Sequence, residues 1–172
     1  MNMRKFALAL IFALMLAAFA APAMARPGDR GANAPTIVET ALAVNAETGE
    51  FSTLIAALAA ADLVDTLNGK GQFTVFAPTD AAFAELGLNA GNVASLGTET
   101  LTDILLYHVS NGRRQANSVV NARQIRMLNG DFVNPSVSGG DAFVNSSQII
   151  AVNIGNSNGI IHIINAVLLP PQ

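Results

Sequence analysis

The sequence predicts an α+β fold, and three observations carry that prediction. Apolar residues recur at helical spacing only up to about Leu106, short β-favouring runs separated by hairpin signals follow from Gln124 onward, and FTVFAPTDAAF, Phe73 to Phe83, packs a strand, a proline stop and a helix start into one short stretch. Helices gathered early and strands gathered late are the order of an α+β domain, not of alternating βαβ units.

The N-terminus stands apart from that pattern. Arg4 and Lys5 make a basic start, Phe6 to Ala20 is an unbroken apolar run, and Ala23-Met24-Ala25 offers a small-x-small cleavage pattern. An export signal over residues 1–25, cut after Ala25, is expected. The apolar run is shorter than the roughly 20 residues a membrane span needs. Residues 26–35, RPGDRGANAP, are rich in Pro, Gly and charge and read as a disordered lead-in to one domain over residues 36–170. With no cysteine, neither a lipid-bearing cysteine nor a disulfide is available, so the core alone must hold the fold. Loss of Arg4 and Lys5 leaves seven basic residues against twelve acids, which argues against a nucleic-acid partner. The expected destination is the periplasm or the exterior, with no membrane anchor in the mature chain.

Thr36 with Glu39 forms a capping box, and Ile37, Ala41 and Leu42 share a face, giving a first helix to about Ala43. Phe51, Leu54, Ile55 and Leu58 fall at i, i+3, i+4 and i+7 and predict a second helix continuing towards Leu63 and Val64. Asn68-Gly69 and Gly71 then turn the chain into the strand at Phe73. Pro78 cannot donate to a ladder, Thr79 can cap the next helix through Ala81 or Ala82, and Asp80 sits at the positive end of that helix. Gly87 to Gly97 reads as a loose connection, and Thr98 opens a helix carrying Leu101, Ile104 and Leu105 that runs into Tyr107-His108-Val109. Turns at Asn129-Gly130, Gly139-Gly140, Asn145-Ser146 and Asn156 to Gly159 cut the remainder into a meander of strands. The last, NGIIHIINAVLLP from Asn158 to Pro170, is apolar on both faces and suits a central strand covered on both sides.

Three of these stretches carry a family resemblance. FTVFAPTDAAF, LLYHV from Leu105 to Val109, and NGIIHIINAVLLP are similar in order and spacing to the signature segments of fasciclin domains, extracellular adhesion modules, over about Thr36 to Leu169. The resemblance implies a wedge-shaped β-sandwich with N-terminal helices packed against it, and a role in binding rather than catalysis. In animal matrix relatives the tyrosine-histidine region and an aspartate-isoleucine pair before the last signature are implicated in integrin binding. Tyr107 and His108 match the first; the second reads Asn153-Ile154, without the acid, and the last signature has Asn165 where an aspartate is common. On that basis Tyr107, His108 and Ile154 are candidate partner-binding residues.

Read without the resemblance, the same residues allow two roles. His108 lies at i+7 from Leu101 on an apolar helix face, the place of a buried histidine bracing a junction, while Tyr107 serves equally as a core ring or an exposed anchor. The stretch from Tyr107 to Arg126 is expected to be the exposed binding region, and His162, inside the final strand, to be structural. Arg113, Arg114, Arg123 and Arg126 gather within fourteen positions of an acidic protein. They are candidates for docking an anionic partner such as an acidic polysaccharide through guanidinium forks, or else charges that guard a strand edge. Asn145-Ser146-Ser147 is a glycosylation sequon only on a eukaryotic route.

Catalytic and metal patterns are absent from the sequence. There is no G-x-S-x-G elbow, H-E-x-x-H, Walker loop or G-x-G-x-x-G, and Asp62 with Asp65 reads as a solvated helix pair. No enzyme activity, metal or cofactor is expected. The expected function is an exported adhesion or interaction module that binds a cell-surface or matrix protein or an acidic polysaccharide. A structural envelope or matrix protein is one alternative; a carrier of a small apolar ligand, which requires an apolar cavity, is another.

Overall fold

The computed structural model describes residues 34–171; the expected export signal and most of the lead-in lie outside the described residues. Helix α1 (Ile37–Thr48) starts with the reciprocal capping box: Thr36 Oγ1 accepts from the Glu39 amide at 3.2 Å, and Glu39 accepts from the Thr36 amide at 2.7 Å. It runs beyond the predicted end at Ala43, until Gly49 closes it at φ 75°. The predicted second helix is two helices, α2 (Ser52–Ala60) and α3 (Val64–Asn68), broken where Asp62 adopts φ 56°. Phe51 precedes α2 and has no side-chain acceptor to cap it. The carboxylate of Asp80 does so from a distant part of the chain, accepting from the amides of Ser52 at 3.1 Å and Thr53 at 2.8 Å.

Strand β1 (Phe73–Pro78) ends at the predicted proline, and Thr79 caps the short helix α4 (Asp80–Ala84) by accepting from the Ala82 amide at 3.3 Å. The connection expected to be loose contains a 3₁₀ turn, Val93–Leu96. Then come α5 (Thr98–Leu106), β2 (Val109–Asn111), α6 (Ala116–Val120), β3 (Ile125–Arg126), β4 (Phe132–Val133), β5 (Pro135–Ser138), β6 (Asp141–Val144), β7 (Ser147–Asn156) and β8 (Gly159–Ile164). Chain reversals fall at all four predicted turns, but the strands do not form one meander. β3 and β4 pair only with each other as a ribbon, and the other six form a sheet in the order β2-β1-β8-β7-β6-β5, in which β1 and β8 run parallel.

The sheet has two covered faces at its centre. Val75, Ala77 and Ile161 look toward α1, α2 and α5, against Val38, Phe51 and Leu54. Phe76 and Ile164 look the other way, into a cluster with Tyr107 at the end of α5, Val119 of α6, and Ile125, Met127 and Val133 of the ribbon. All six residues of β8 are therefore buried, as its two-faced apolar pattern requires, although the strand stops at Ile164 instead of continuing to Pro170. Gly159 opens β8 because a Cβ there would overlap the Phe73 carbonyl oxygen and Ile37 Cδ1. Two register shifts on either side of Ala151 disrupt the β7–β8 ladder, and Asn153 lies there at φ 61°. Bulges of this kind curl a sheet. The result is an α+β fold in which N-terminal helices pack on a curled mixed sheet.

Candidate interaction surface

Tyr107 and His108 sit where α5 passes into β2, and both are only 2% exposed. The Tyr107 hydroxyl donates to the Phe132 carbonyl at 3.1 Å and accepts from Asn145 Nδ2 at 3.1 Å. Asn145, in a left-handed turn at φ 55°, also exchanges bonds with Asn134: its amide donates to the Asn134 carbonyl, and its Oδ1 accepts from the Asn134 amide, each at 2.9 Å. One phenol thus ties the ribbon to the β6–β7 turn. His108 Nδ1 donates to the Ile104 carbonyl at 2.7 Å, and Nε2 accepts from the Leu168 amide at 2.9 Å, partners that fix a neutral Nδ1–H ring. Burial lowers its pKa to about 4. The exposed region expected from Tyr107 to Arg126 therefore does not begin at this pair: His108 is the buried brace its helix position suggested and Tyr107 is the core ring with its hydroxyl satisfied, both holding backbone inside the fold.

His162 is the mirror case. Its Nε2 donates to the Arg114 carbonyl at 2.8 Å, Nδ1 accepts from the Asn153 amide at 3.4 Å, and the ring stacks on Phe76 with centroids 5.6 Å apart. Burial lowers its pKa too. Asn153, at the bulge, accepts from the Ala116 amide at 2.8 Å and so caps α6 from another strand. That tertiary cap accounts for a helix the run ANSVV did not predict. Ile154, beside it, is half-buried.

The four arginines divide into two pairs. Arg113 is exposed, with Nη1 donating to the Asn156 carbonyl at 2.6 Å. Arg114 is half-buried, its amide donating to Thr74 Oγ1 at 2.8 Å and its Nε buried without a partner. Arg123 and Arg126 are exposed on and just before the ribbon. There the register matters. A two-residue Asn129-Gly130 loop would set Arg126 opposite Val133, but Met127 donates to the Asp131 carbonyl and Gly130 turns at φ 104°, a longer loop that shifts the pairing by one residue. Arg126 consequently lies opposite Phe132 on the outer face, and Ile125 opposite Val133 on the buried one. Phe132 is 49% exposed, a large aromatic in water, and was not singled out from sequence. The register that puts it beside Arg126 was the missing signal.

Two of the concavities among the described residues bear on these readings. An apolar void of about 20 Å³ lies between α1, α2 and β1, roughly the room of one water and far below the ~300–1,000 Å³ of small-ligand pockets. An open groove of about 450 Å³ runs between α5 and the Leu128–Asn129 turn. Among the described residues, no three His, Cys, Asp or Glu side chains gather as a metal site, and no helix is long and apolar enough to cross a membrane.

Comparison with known proteins agrees with this architecture. Residues 49–170 match the sequence model of the Fasciclin domain. Protein sll1483 of Synechocystis is 43% identical over 81% of this chain and 76% of its own length. The cell surface glycolipoprotein MPB83 of Mycobacterium bovis is 32% identical over 90% of this chain and 70% of its own. The structure of a FAS1 domain pair from the insect cell adhesion molecule fasciclin I superposes with a TM-score of 0.64 at 17% identity, covering 79% of this chain and 51% of that one, a likeness of fold alone. With signature strand, buried tyrosine-histidine junction and two-faced final strand all in place, the chain belongs to the fasciclin domain family.

Proposed function

We propose that this protein is an exported, non-catalytic interaction module that docks an anionic partner, an acidic polysaccharide or an acid-rich surface of a cell-surface or matrix protein, on the outer face of the β3–β4 ribbon. The observation that carries the reading is the exposed pair Arg126 and Phe132, held side by side by the ladder, with Arg123 exposed just before them. A guanidinium fork takes a carboxylate or sulfate through two parallel bonds, and an exposed ring offers a flat apolar face beside it. Export is supported by the basic-apolar N-terminal pattern and by a relative named for the cell surface, and an extracellular interaction role by membership of the fasciclin domain family. Arg113 contributes less, because its guanidinium already serves the Asn156 carbonyl. Tyr107 supports the ribbon from beneath through its bond to the Phe132 carbonyl.

Retention of the full chain on immobilised heparin, at low and moderate salt, tests this. The double change Arg123→Gln, Arg126→Gln should remove most of the salt-sensitive retention, Phe132→Ala should weaken it at both salt levels, and Arg113→Gln should leave it nearly unchanged. Equal retention of the ribbon variants and the wild type would overturn the proposal.

A further inference from the structure

Four Asn-Gly pairs occur in the chain, beginning at Asn68, Asn111, Asn129 and Asn158. In each, the glycine nitrogen can attack the asparagine side-chain carbonyl, because the ring that closes is five-membered and glycine has no Cβ to obstruct the approach. The reaction needs a loosely held nucleophile, a polarised carbonyl and an amide nitrogen free to leave, and the fold grants these unequally. Asn158 is buried, with Nδ2 donating to the Leu67 carbonyl and Oδ1 accepting from the Ile37 amide at 2.9 Å. At Asn129 the leaving nitrogen is held by Asp103 at 3.1 Å and Asp131 at 2.9 Å, and the Gly130 amide donates to the Met127 carbonyl at 3.1 Å. Asn111 is exposed, but the Gly112 amide is tied to the Gln72 carbonyl at 2.7 Å.

Asn68 meets all three needs. It is the exposed last residue of α3, a helix of five residues, and among the described residues its Nδ2 has no partner. The Thr36 hydroxyl donates to its Oδ1 at 2.7 Å, which polarises the carbonyl and is aimed where negative charge develops on attack. The Gly69 amide reaches the Thr66 carbonyl only at 3.3 Å, so leaving the helical conformation to close the ring costs one weak bond. We propose that Asn68-Gly69 is a self-modification site, forming a succinimide and then an isoaspartate while the other three pairs stay intact. The Gly69 nitrogen, its proton passed to a solvent base, bonds to Asn68 Cγ; the Cγ–Nδ2 bond breaks, and the nitrogen takes a proton from water and leaves as ammonia. Water then opens the ring, at Cγ to give aspartate or at the backbone carbonyl to give isoaspartate, whose main chain runs through Cβ and Cγ. That longer chain lies at a corner where Asn158 Nδ2 spans the Leu67 and Gly69 carbonyls, and the new carboxylate adjoins Thr36, whose amide Glu39 already holds. The modified form is the less stable one.

The test is incubation of the full chain in warm, mildly alkaline buffer, followed by digestion in acid and peptide mapping by mass spectrometry. Asn68 should convert at least about tenfold faster than Asn111, Asn129 or Asn158, since each of those must first open locally. In urea, where the fold is gone, the four should react at similar rates. Thr36→Asp keeps an acceptor that caps α1 but has no hydroxyl to donate to Asn68, so it should slow the reaction there about threefold or more. Thr36→Ser, which retains the donor, should keep the wild-type rate, and thermal melts certify that both variants fold. Asn68→Gln, too long to close a five-membered ring, should leave the folded chain with a single charge form. Another pair reacting first, an Asn68 as unreactive in the fold as the other three, or an Asn68 rate unchanged by Thr36→Asp each overturns the proposal.

Discussion

Tyr107-His108 and Arg126-Phe132 lie close in sequence and are joined by a hydrogen bond, yet they face opposite environments. The first pair is 2% exposed and its side chains close backbone groups of Phe132, Ile104 and Leu168; the second pair is exposed, and among the described residues its side chains close no backbone group. A buried carbonyl or amide left open costs free energy, so the first pair is bound to the architecture whatever partner the protein meets. The ribbon face answers to no such constraint and can suit a partner. Family resemblance therefore points to one pair, and surface chemistry to the other.

The largest effect that would sharpen this contrast is expected at His108. His108→Ala strands the Ile104 carbonyl and the Leu168 amide beside an existing void, and urea denaturation should show a loss of about 3–5 kcal/mol. A loss under about 1 kcal/mol would mean that the junction is not held as described.

Acid acts on the same group. His108 titrates at about 4 in the fold against 6.5 ordinarily, so between those values the unfolded chain takes up a proton that the folded chain refuses. Stability is full above about pH 6.5 and falls as the pH drops towards 4, by about 3 kcal/mol in all. His162, lowered by burial as well, adds in the same direction. Melting temperatures compared at about pH 7 and about pH 4.5 should differ clearly, and His108→Phe, if it folds, should flatten part of that dependence.

A smaller effect belongs to the phenol. Tyr107→Phe keeps the ring and removes its bonds to Phe132 and Asn145, and should cost about 1–2 kcal/mol with faster amide exchange confined to the ribbon and the β6–β7 turn. The smallest expected change in stability is on the ribbon. Arg126→Gln and Phe132→Ala should each stay within about 0.5 kcal/mol of wild type while altering retention. A large loss of stability there would break the comparison by making the ribbon part of the core.

How much of this was legible in advance depends on the range of the interaction. The capping box at Thr36, the proline stop at Pro78, the Thr79 cap and the four turns are local chemistry, fixed by residues within a few positions of one another, and each was readable. Asp80 was assigned to its own helix, whereas its carboxylate caps α2, whose preceding Phe51 cannot. Helix α6 was missed for the same reason, since its cap comes from Asn153 across the sheet. The candidate surface was half legible. A cluster of arginines is visible in any one-dimensional reading, but its division, with Arg113 donating to the Asn156 carbonyl, Arg114 half-buried, and Arg123 and Arg126 exposed by the ribbon, depends on contacts far away in sequence.

By itself, then, the sequence determined the α+β class, the corner at Phe73 to Phe83, the two-faced burial of the last strand and the family, because apolar period and cap chemistry are local properties that survive being read in order. Tertiary structure alone decided that Tyr107 and His108 lie inside, that the Asn129-Gly130 loop shifts its ladder by one residue, and that Phe132 therefore stands beside Arg126 in water. Side chains alternate faces with a period of two, so a one-residue change of register exchanges what is buried for what is exposed. That choice is made by the packing of the ribbon on the sheet.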